Sequence, residues 1–204
     1  MNRFDTLAQG WDIAPIHLER TRALAHAIRN RIPLAGLRAL EVGAGTGLLS
    51  FAFADELAQA IVSDPSQGMI EVLQAKITAA GLPHLHAAKT DDSLESIEGD
   101  FDLVFLQMAL HHIPDVAGFM ARAYAVLKPG GHIALADLDT EDGSFHGPEV
   151  TDVHLGFDRT EVVRMAESAG FIETVIETGH VMDRVVEGKP RSYPVFLLTA
   201  RRPL

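Results

Sequence analysis

The run Ala39-Leu40-Glu41-Val42-Gly43-Ala44-Gly45-Thr46-Gly47 sets three glycines at G-x-G-x-G spacing, with an acidic side chain two places ahead of the first. Glycine has no Cβ and tolerates positive φ, so such a run lets a ligand lie against the backbone at the end of a strand. The spacing predicts a nucleotide-like ligand, and it discriminates among them. A dinucleotide fingerprint is G-x-G-x-x-G; here the third glycine comes one residue early and position 48 is Leu. The phosphate-loop pattern, which ends in Gly-Lys-Ser/Thr, is absent. Downstream, Asp64 closes a second apolar run. A carboxylate there can accept hydrogen bonds from both hydroxyls of a ribose; alternatively it stands at a helix N-terminus, where the helix dipole favours an anion. In Thr90-Asp91-Asp92, either Asp91 or Asp92 can accept from an adenine amine, or both are ordinary loop residues.

Proton transfer at neutral pH would fall to histidine. Of ten histidines, two are candidate bases. His112 belongs to the pair His111-His112 that follows a strand-like run, and His154 precedes Leu155-Gly156-Phe157 in a loop-like stretch. Each has a plain alternative as a packed or surface residue. A metal site built from His146, His154 and His180 would lack any tight spacing such as H-x-x-x-H, so no metal is expected. Trp11, the one tryptophan, either covers a ligand or packs the first long helix onto the domain.

The elements that must position these residues follow from periodicity. His17 to Arg31 reads as an amphipathic helix with Leu18, Leu24, Ala25, Ile28 and Ile32 near helical spacing, ended by Pro33. Leu37–Val42, Ala60–Ser63, His84–Lys89, Phe101–Leu106 and His132–Leu138 read as strands. Helices are expected over Gly47–Leu57, from Ser66 to Gly81 and over Val116–Leu127, the last broken by Lys128-Pro129-Gly130-Gly131. This alternation predicts a parallel sheet with helices on both faces. Residues 139–157 break the pattern as a long, glycine-rich loop, the kind that often covers or binds a ligand. Asp158 to Ala169 is helical, and Phe171–Val181 with Tyr193–Ala200 reads as a hairpin joined through Gly188-Lys189-Pro190.

Composition narrows the function classes. There is no cysteine, which removes disulfides, thiolate zinc sites and cysteine nucleophiles. Seventeen Lys and Arg against 28 Asp and Glu give a net charge of −11, opposite to the basic surface that binds nucleic acid. A small neutral or cationic substrate fits that charge better. No signal core and no long apolar run are seen, so the expectation is a cytoplasmic protein with no membrane partner, a monomer or homodimer.

Taken together, Glu41–Gly47, Phe101-Asp102-Leu103-Val104, Leu110-His111-His112, Leu127-Lys128-Pro129-Gly130-Gly131 and the late Ala169-Gly170-Phe171 resemble the ordered motifs of the class I S-adenosylmethionine-dependent methyltransferases, closest to the small single-domain group. The resemblance covers about residues 37 to 172. It implies a Rossmann-like three-layer α/β sandwich with seven strands in the order 3-2-1-4-5-7-6, the last antiparallel. It implies one domain over 1–204, with a helical cap at 1–32 and a substrate loop at 139–157. By position, Glu41, Gly43, Ala44, Gly45 and Gly47 would contact the methionine part of S-adenosylmethionine. Asp64 would hold the ribose, Pro65, Ser66 and Met69 would lie near the adenosine, and Asp91 or Asp92 would face the adenine. Gln107 and Met108 would line the wall beside the sulfonium, and the segment bearing Trp11 would fold over the cofactor. The expected activity is methyl transfer to a small-molecule O or N acceptor by in-line displacement, with S-adenosylhomocysteine as product. The alternative is a regulatory module that binds the cofactor without turnover. A nicotinamide-dependent dehydrogenase is opposed by the early third glycine and by the Lys128–Gly131 turn.

Overall fold

Short apolar runs that are hydrophobic on both faces can be buried only between two helical layers. Arg38–Val42, Gln59–Asp64, Leu85–Lys89 and Phe101–Gln107 form strands β1 to β4, followed by Leu127–Leu138 (β5), Ile172–Val186 (β6) and Lys189–Arg201 (β7). The computed structural model describes residues 3–91, 94, 96–147 and 149–204; Asp92 lies outside the described residues. The sheet order is β3-β2-β1-β4-β5-β7-β6. Pairing is parallel from β3 through β5, and β7 runs antiparallel to both β5 and β6. The order reverses between β1 and β4. In open α/β sheets the crevice outside the strand carboxyl ends at such a point is where ligands bind.

The helices are α1 (Arg3–Leu7), α2 (Pro15–Arg29), α3 (Leu48–Ala52), α4 (Gln67–Ala80), α5 (Val116–Val126) and α6 (Arg159–Ser168), with a 3-10 turn over Ala8–Ile13 after α1. Alternation along β4 feeds two apolar layers. Leu103 and Phe105 join Leu24, Ile28, Phe53 and Leu73 on one face, while Val104 and Leu106 join Phe101, Phe119, Leu135 and Phe196 on the other. Pro15 opens α2, where its fixed φ costs nothing. Ser66 caps α4 by accepting from Met69 N–H, and Gly81 ends it at φ 64°.

Three elements differ from the sequence expectation. Helix α3 stops at Ala52 instead of reaching Leu57. Gly36 N–H donates to Glu56 O and Ala58 N–H to Leu37 O, both at 2.9 Å, which draws the segment back beside β1 before another helical turn forms. Strand β5 begins at Leu127, not His132: Leu127 pairs with Phe101 and His132 with Leu103, so the residues between loop out as a bulge with Gly130 at φ 80°. The β6–β7 turn is only Glu187-Gly188, both at positive φ, the signature of a type I′ hairpin. Lys189 and Pro190 already belong to β7. Pro190 lies where β7 has outrun β5, whose pairing stops at Val195, and an edge position tolerates a missing N–H.

Candidate active site

The carboxyl ends of β1, β2, β4 and β5 converge on one crevice. At β1, Gly43, Gly45 and Gly47 all hold positive φ, at 62°, 57° and 80°. A Cβ on Gly43 would lie 2.5 Å from Ala109 Cβ, and one on Gly47 would lie 2.6 Å from Leu73 Cδ1. These two glycines let the loop seat against the domain. Gly45 instead looks toward Trp11 Nε1 and Met69 Sδ, 3.6 and 3.8 Å from its notional Cβ. Ala44 fixes the loop to β2 through its N–H on Ser63 O at 2.9 Å.

Asp64 ends β2 and is buried. Its Oδ2 accepts from Gly45 N–H at 2.7 Å and its Oδ1 from Ser66 N–H at 2.8 Å, so one carboxylate joins the two loops that flank the ribose position implied by the sequence. Pro65 is half-buried beside it and Ser66 is buried. Asp91 is exposed just beyond β3.

Glu41 is wholly buried beneath the glycine loop. Its Oε2 accepts from Ser50 N–H at 3.0 Å and from Ser50 Oγ–H, and Oε1 has no partner among the described residues. An orphaned acceptor under a glycine loop fits a ligand ammonium, which is what the methionine end of S-adenosylmethionine carries. Burial pushes the Glu41 carboxyl up to about 8 from 4.5, against the opposing bonds from Ser50. The fold therefore favours the neutral acid. That preference contributes fully below pH 4.5 and is lost as pH rises through about 8. Glu41→Gln, which stays neutral, is expected to shrink the fall in urea midpoint between about pH 5 and about pH 8.5. A fall as steep as that of the wild type would place the pH dependence on other groups.

At the end of β4, Gln107 turns to α2, its amide bonded to Thr21 Oγ1 at 3.1–3.2 Å. Met108 holds φ 53°, a strained conformation for a residue with a side chain, and is anchored by its N–H on Ala136 O at 2.8 Å. This bend starts the 3-10 turn Leu110–His112 and aims His111 down onto β5. His111 Nδ1 lies 2.6 Å from Asp137 Oδ1. Asp137 also accepts from Leu138 N–H at 2.7 Å and His111 N–H at 3.2 Å. Burial alone would raise the Asp137 pKa; the charge of His111 and these bonds outweigh it and hold the carboxyl below its usual range. A carboxylate on Nδ1 keeps the proton there and leaves Nε2 as the basic nitrogen.

His112 and His146 stack around His111, with ring centroids 4.1 Å (His111–His112) and 4.9 Å (His111–His146) apart. The structure thus gathers His111, His112 and His146, with ligand nitrogens up to 4.8 Å apart, instead of His146, His154 and His180. Ligand nitrogens of a tetrahedral zinc stand roughly 3.3 Å apart. His154 is a fastener: its N–H donates to His111 O at 2.9 Å and its Nε2 reaches Ile113 O at 3.0 Å, pinning the 139–157 loop to the turn. Ser144 Oγ lies 2.7 Å from Tyr193 Oη, and Arg184 donates to Phe145 O at 2.8 Å, which seats the same loop on the hairpin.

The N-terminal segment spans the crevice. Asp5 accepts from Ser66 Oγ–H at 2.6 Å and Gly68 N–H at 3.1 Å. Asp12 pairs with Lys76 at 2.6 Å and accepts from Thr46 Oγ–H. Trp11 stacks on His17 at 4.2 Å, and Phe4 meets the edge of His112 at 5.2 Å. Trp11 therefore both packs α2 and lies over Gly45. Sequence reasoning did not single out Asp5, Asp12, Arg20 or the His111–Asp137 pair, because contacts between residues distant in the chain leave no local spacing that reveals them. A separate open cleft of about 410 Å³ runs between Pro114, His154, Asp158 and Met165; it does not reach the glycine loop.

Comparison with known proteins agrees with this geometry. Residues 40–135 match the model of a methyltransferase domain. A ubiquinone biosynthesis O-methyltransferase of Azorhizobium caulinodans is 33% identical over 70% of this chain and 63% of its own length. The protein of the same name from a Methylobacterium species is 30% identical over 84% of this chain and 75% of its own. The crystal structure of a Bacillus halodurans protein described as a putative methyltransferase superposes with a TM-score of 0.73 at 20% identity, over 89% of this chain and 99% of the other. The chain belongs to the class I S-adenosylmethionine-dependent methyltransferases, whose methyl donor is S-adenosylmethionine. It spans about three fifths of the length of the Azorhizobium relative. Among the described residues, no helix is long and apolar enough to cross a membrane.

Proposed function

We propose that this chain transfers a methyl group from S-adenosylmethionine to a hydroxyl or amine of a small molecule, with His111 as general base. The observation that carries the reading is the crevice itself. The loop and carboxylates suited to the donor stand on β1 and β2, and an Asp-oriented histidine stands across the order reversal, at the end of β4 and against β5. The names of the O-methyltransferase relatives support an oxygen acceptor.

Bound S-adenosylmethionine supplies an electrophilic methyl carbon on a sulfonium. The glycine loop, Glu41, Asp64, Pro65, Ser66, Met69 and Asp91 hold the donor, and Gln107 and Met108 form the wall beside its reactive end. His111 Nε2 takes the proton of the acceptor O–H, and Asp137 stabilises the imidazolium that forms. A positioned base of this kind contributes about 10²- to 10⁴-fold. His112 borders the acceptor, and His154 keeps the 139–157 loop closed over it. That loop and residues 4–12 exclude water, so the acceptor is held in line with the methyl carbon as a near-attack pair.

Calorimetry with S-adenosylhomocysteine, followed by a methyl-transfer screen against pooled phenols, amines and carboxylates, tests the reading. Product binding together with methylation of at least one pool is expected. Absence of product binding would overturn the donor assignment. Tight product binding with no acceptor in any pool would favour the regulatory module.

A further inference from the structure

The buried face of α2 changes character along its length. Leu24, Ala25 and Ile28 pack into the apolar layer, but one turn earlier the same face presents Arg20 and Thr21, both buried. Arg20 is 5% exposed, and among the described residues nothing accepts a hydrogen bond from its guanidinium; its Nε is buried without a partner. Its attractive neighbour is Asp137, whose oxygens are already taken by His111 Nδ1–H, His111 N–H and Leu138 N–H. Removing a guanidinium from water without hydrogen-bond partners is costly, and a ligand anion within reach would offset that cost.

The position of Arg20 says which ligand. The donor's adenosine and methionine ends are assigned to β2 and β1. The groups that sense Arg20 lie on the other side of the reversal, Asp137 on β5 and His180 on β6, with His17 on its own helix. Burial and the charge of Arg20 both lower the pKa of His17 and of His180, with Arg184 adding to the effect at His17; of the two arginines, Arg20 is the buried one. Thr21, its neighbour, is bonded to Gln107 at the end of β4, which places Arg20 beside the acceptor half.

We infer that Arg20 binds an anionic group, a carboxylate in the first instance, on the methyl acceptor, and so makes the enzyme selective for acidic acceptors. This rests on the proposed methyl-transfer reading. It reverses what the overall charge of −11 suggests, because the field inside the crevice is set by the desolvated charge nearest the ligand and not by the screened surface. A guanidinium matches a carboxylate with two parallel N–H···O bonds, which gives orientation as well as affinity. The acceptor's reactive hydroxyl is thereby presented to His111, which shares Asp137 as a neighbour with Arg20.

The test uses the full chain loaded with S-adenosylhomocysteine, with benzoate and benzamide as matched probes, in calorimetry. Product binding by the wild type is measured first; its failure removes the methyl-transfer reading itself, and this inference with it. With product bound, benzoate is expected to bind at least about tenfold more tightly than benzamide. Arg20→Met is expected to erase that preference while product affinity stays within about twofold. Equal binding of the two probes by the wild type, or binding of neither, overturns the inference. A loss of about tenfold in product affinity in Arg20→Met also overturns it, since the anion would then be the donor's own carboxylate. Thermal unfolding of the unliganded variant gives an independent reading. Removing a desolvated, unpaired cation is expected to leave Tm unchanged or raised, and a drop of more than about 5 °C would make Arg20 a structural partner of Asp137.

Discussion

Asp64→Ala is expected to weaken S-adenosylhomocysteine binding by about a hundredfold. Hydrogen bonds to a charged group contribute about 1.5–3 kcal/mol each, and a carboxylate facing two ribose hydroxyls makes two. Full additivity is not expected, and one such bond's upper value already corresponds to about a hundredfold. Asp64 has a second task, because it accepts from Gly45 N–H and Ser66 N–H, so the variant also loosens the glycine loop. The product analogue lacking both ribose hydroxyls separates the two. If Asp64 binds ribose, the analogue binds the wild type much more weakly than the product does, and the variant, which also loses the loop contacts, does not distinguish the two ligands. An analogue that binds the wild type as tightly as the product itself would reduce Asp64 to a loop fastener.

The second large effect is expected at the His111–Asp137 pair. Asp137→Asn is expected to lower kcat by about 10²- to 10⁴-fold, with product affinity unchanged. The amide cannot stabilise an imidazolium, and with one acceptor oxygen it cannot serve all three N–H groups now on Asp137. A buried donor left without a partner costs about 1–3 kcal/mol, so urea unfolding of the variant must be read beside its rate. His111→Gln avoids that complication and is expected to lose activity to the same extent. His112→Gln and His154→Gln are expected to lose less than about tenfold, since one borders the acceptor and the other fastens a loop. Single-turnover rates with the acceptor found in the screen decide this. A larger loss in His112→Gln than in His111→Gln would move the base to His112.

What could be read from the sequence was whatever is written locally. The glycine spacing, the short apolar strands and the break at 139–157 are contiguous signals that point to an α/β sheet with a nucleotide-like ligand; the strand order and the donor came only from the resemblance that the ordered motifs carry. Arg20 shows the limit. The helical period places it on the buried face with Leu24 and Ile28, but its residue type reads as solvent-facing, so the expected face ran instead through Leu18, which is only half-buried. Asp137 sits inside an apolar strand and acquires meaning only when the bend at Met108 delivers His111 to it. Between the two adjacent histidines, residue type offers no choice. The 3-10 turn makes it, burying His111 and leaving His112 partly exposed. Asp5 and Asp12 are likewise ordinary acidic residues until the N-terminal segment crosses to Ser66 and Lys76.

The place of β7 also governs how the molecule is put together. The last strand in the sequence is wedged between β5 and β6, and in the sheet order β6 touches no strand but β7. During synthesis the donor half, β1 to β4, is complete while β5 still has an open edge, and β6 must wait as a tethered segment until its own successor emerges. Non-local closure of this kind is slow and leaves unpaired strand edges exposed. Asp137, the partner of His111, lies on that open edge, where it later pairs with Phe196. The β1–β4 part of the sheet can thus pair before β5 gains its second neighbour, and the last strand made is the one that closes the sheet around Asp137.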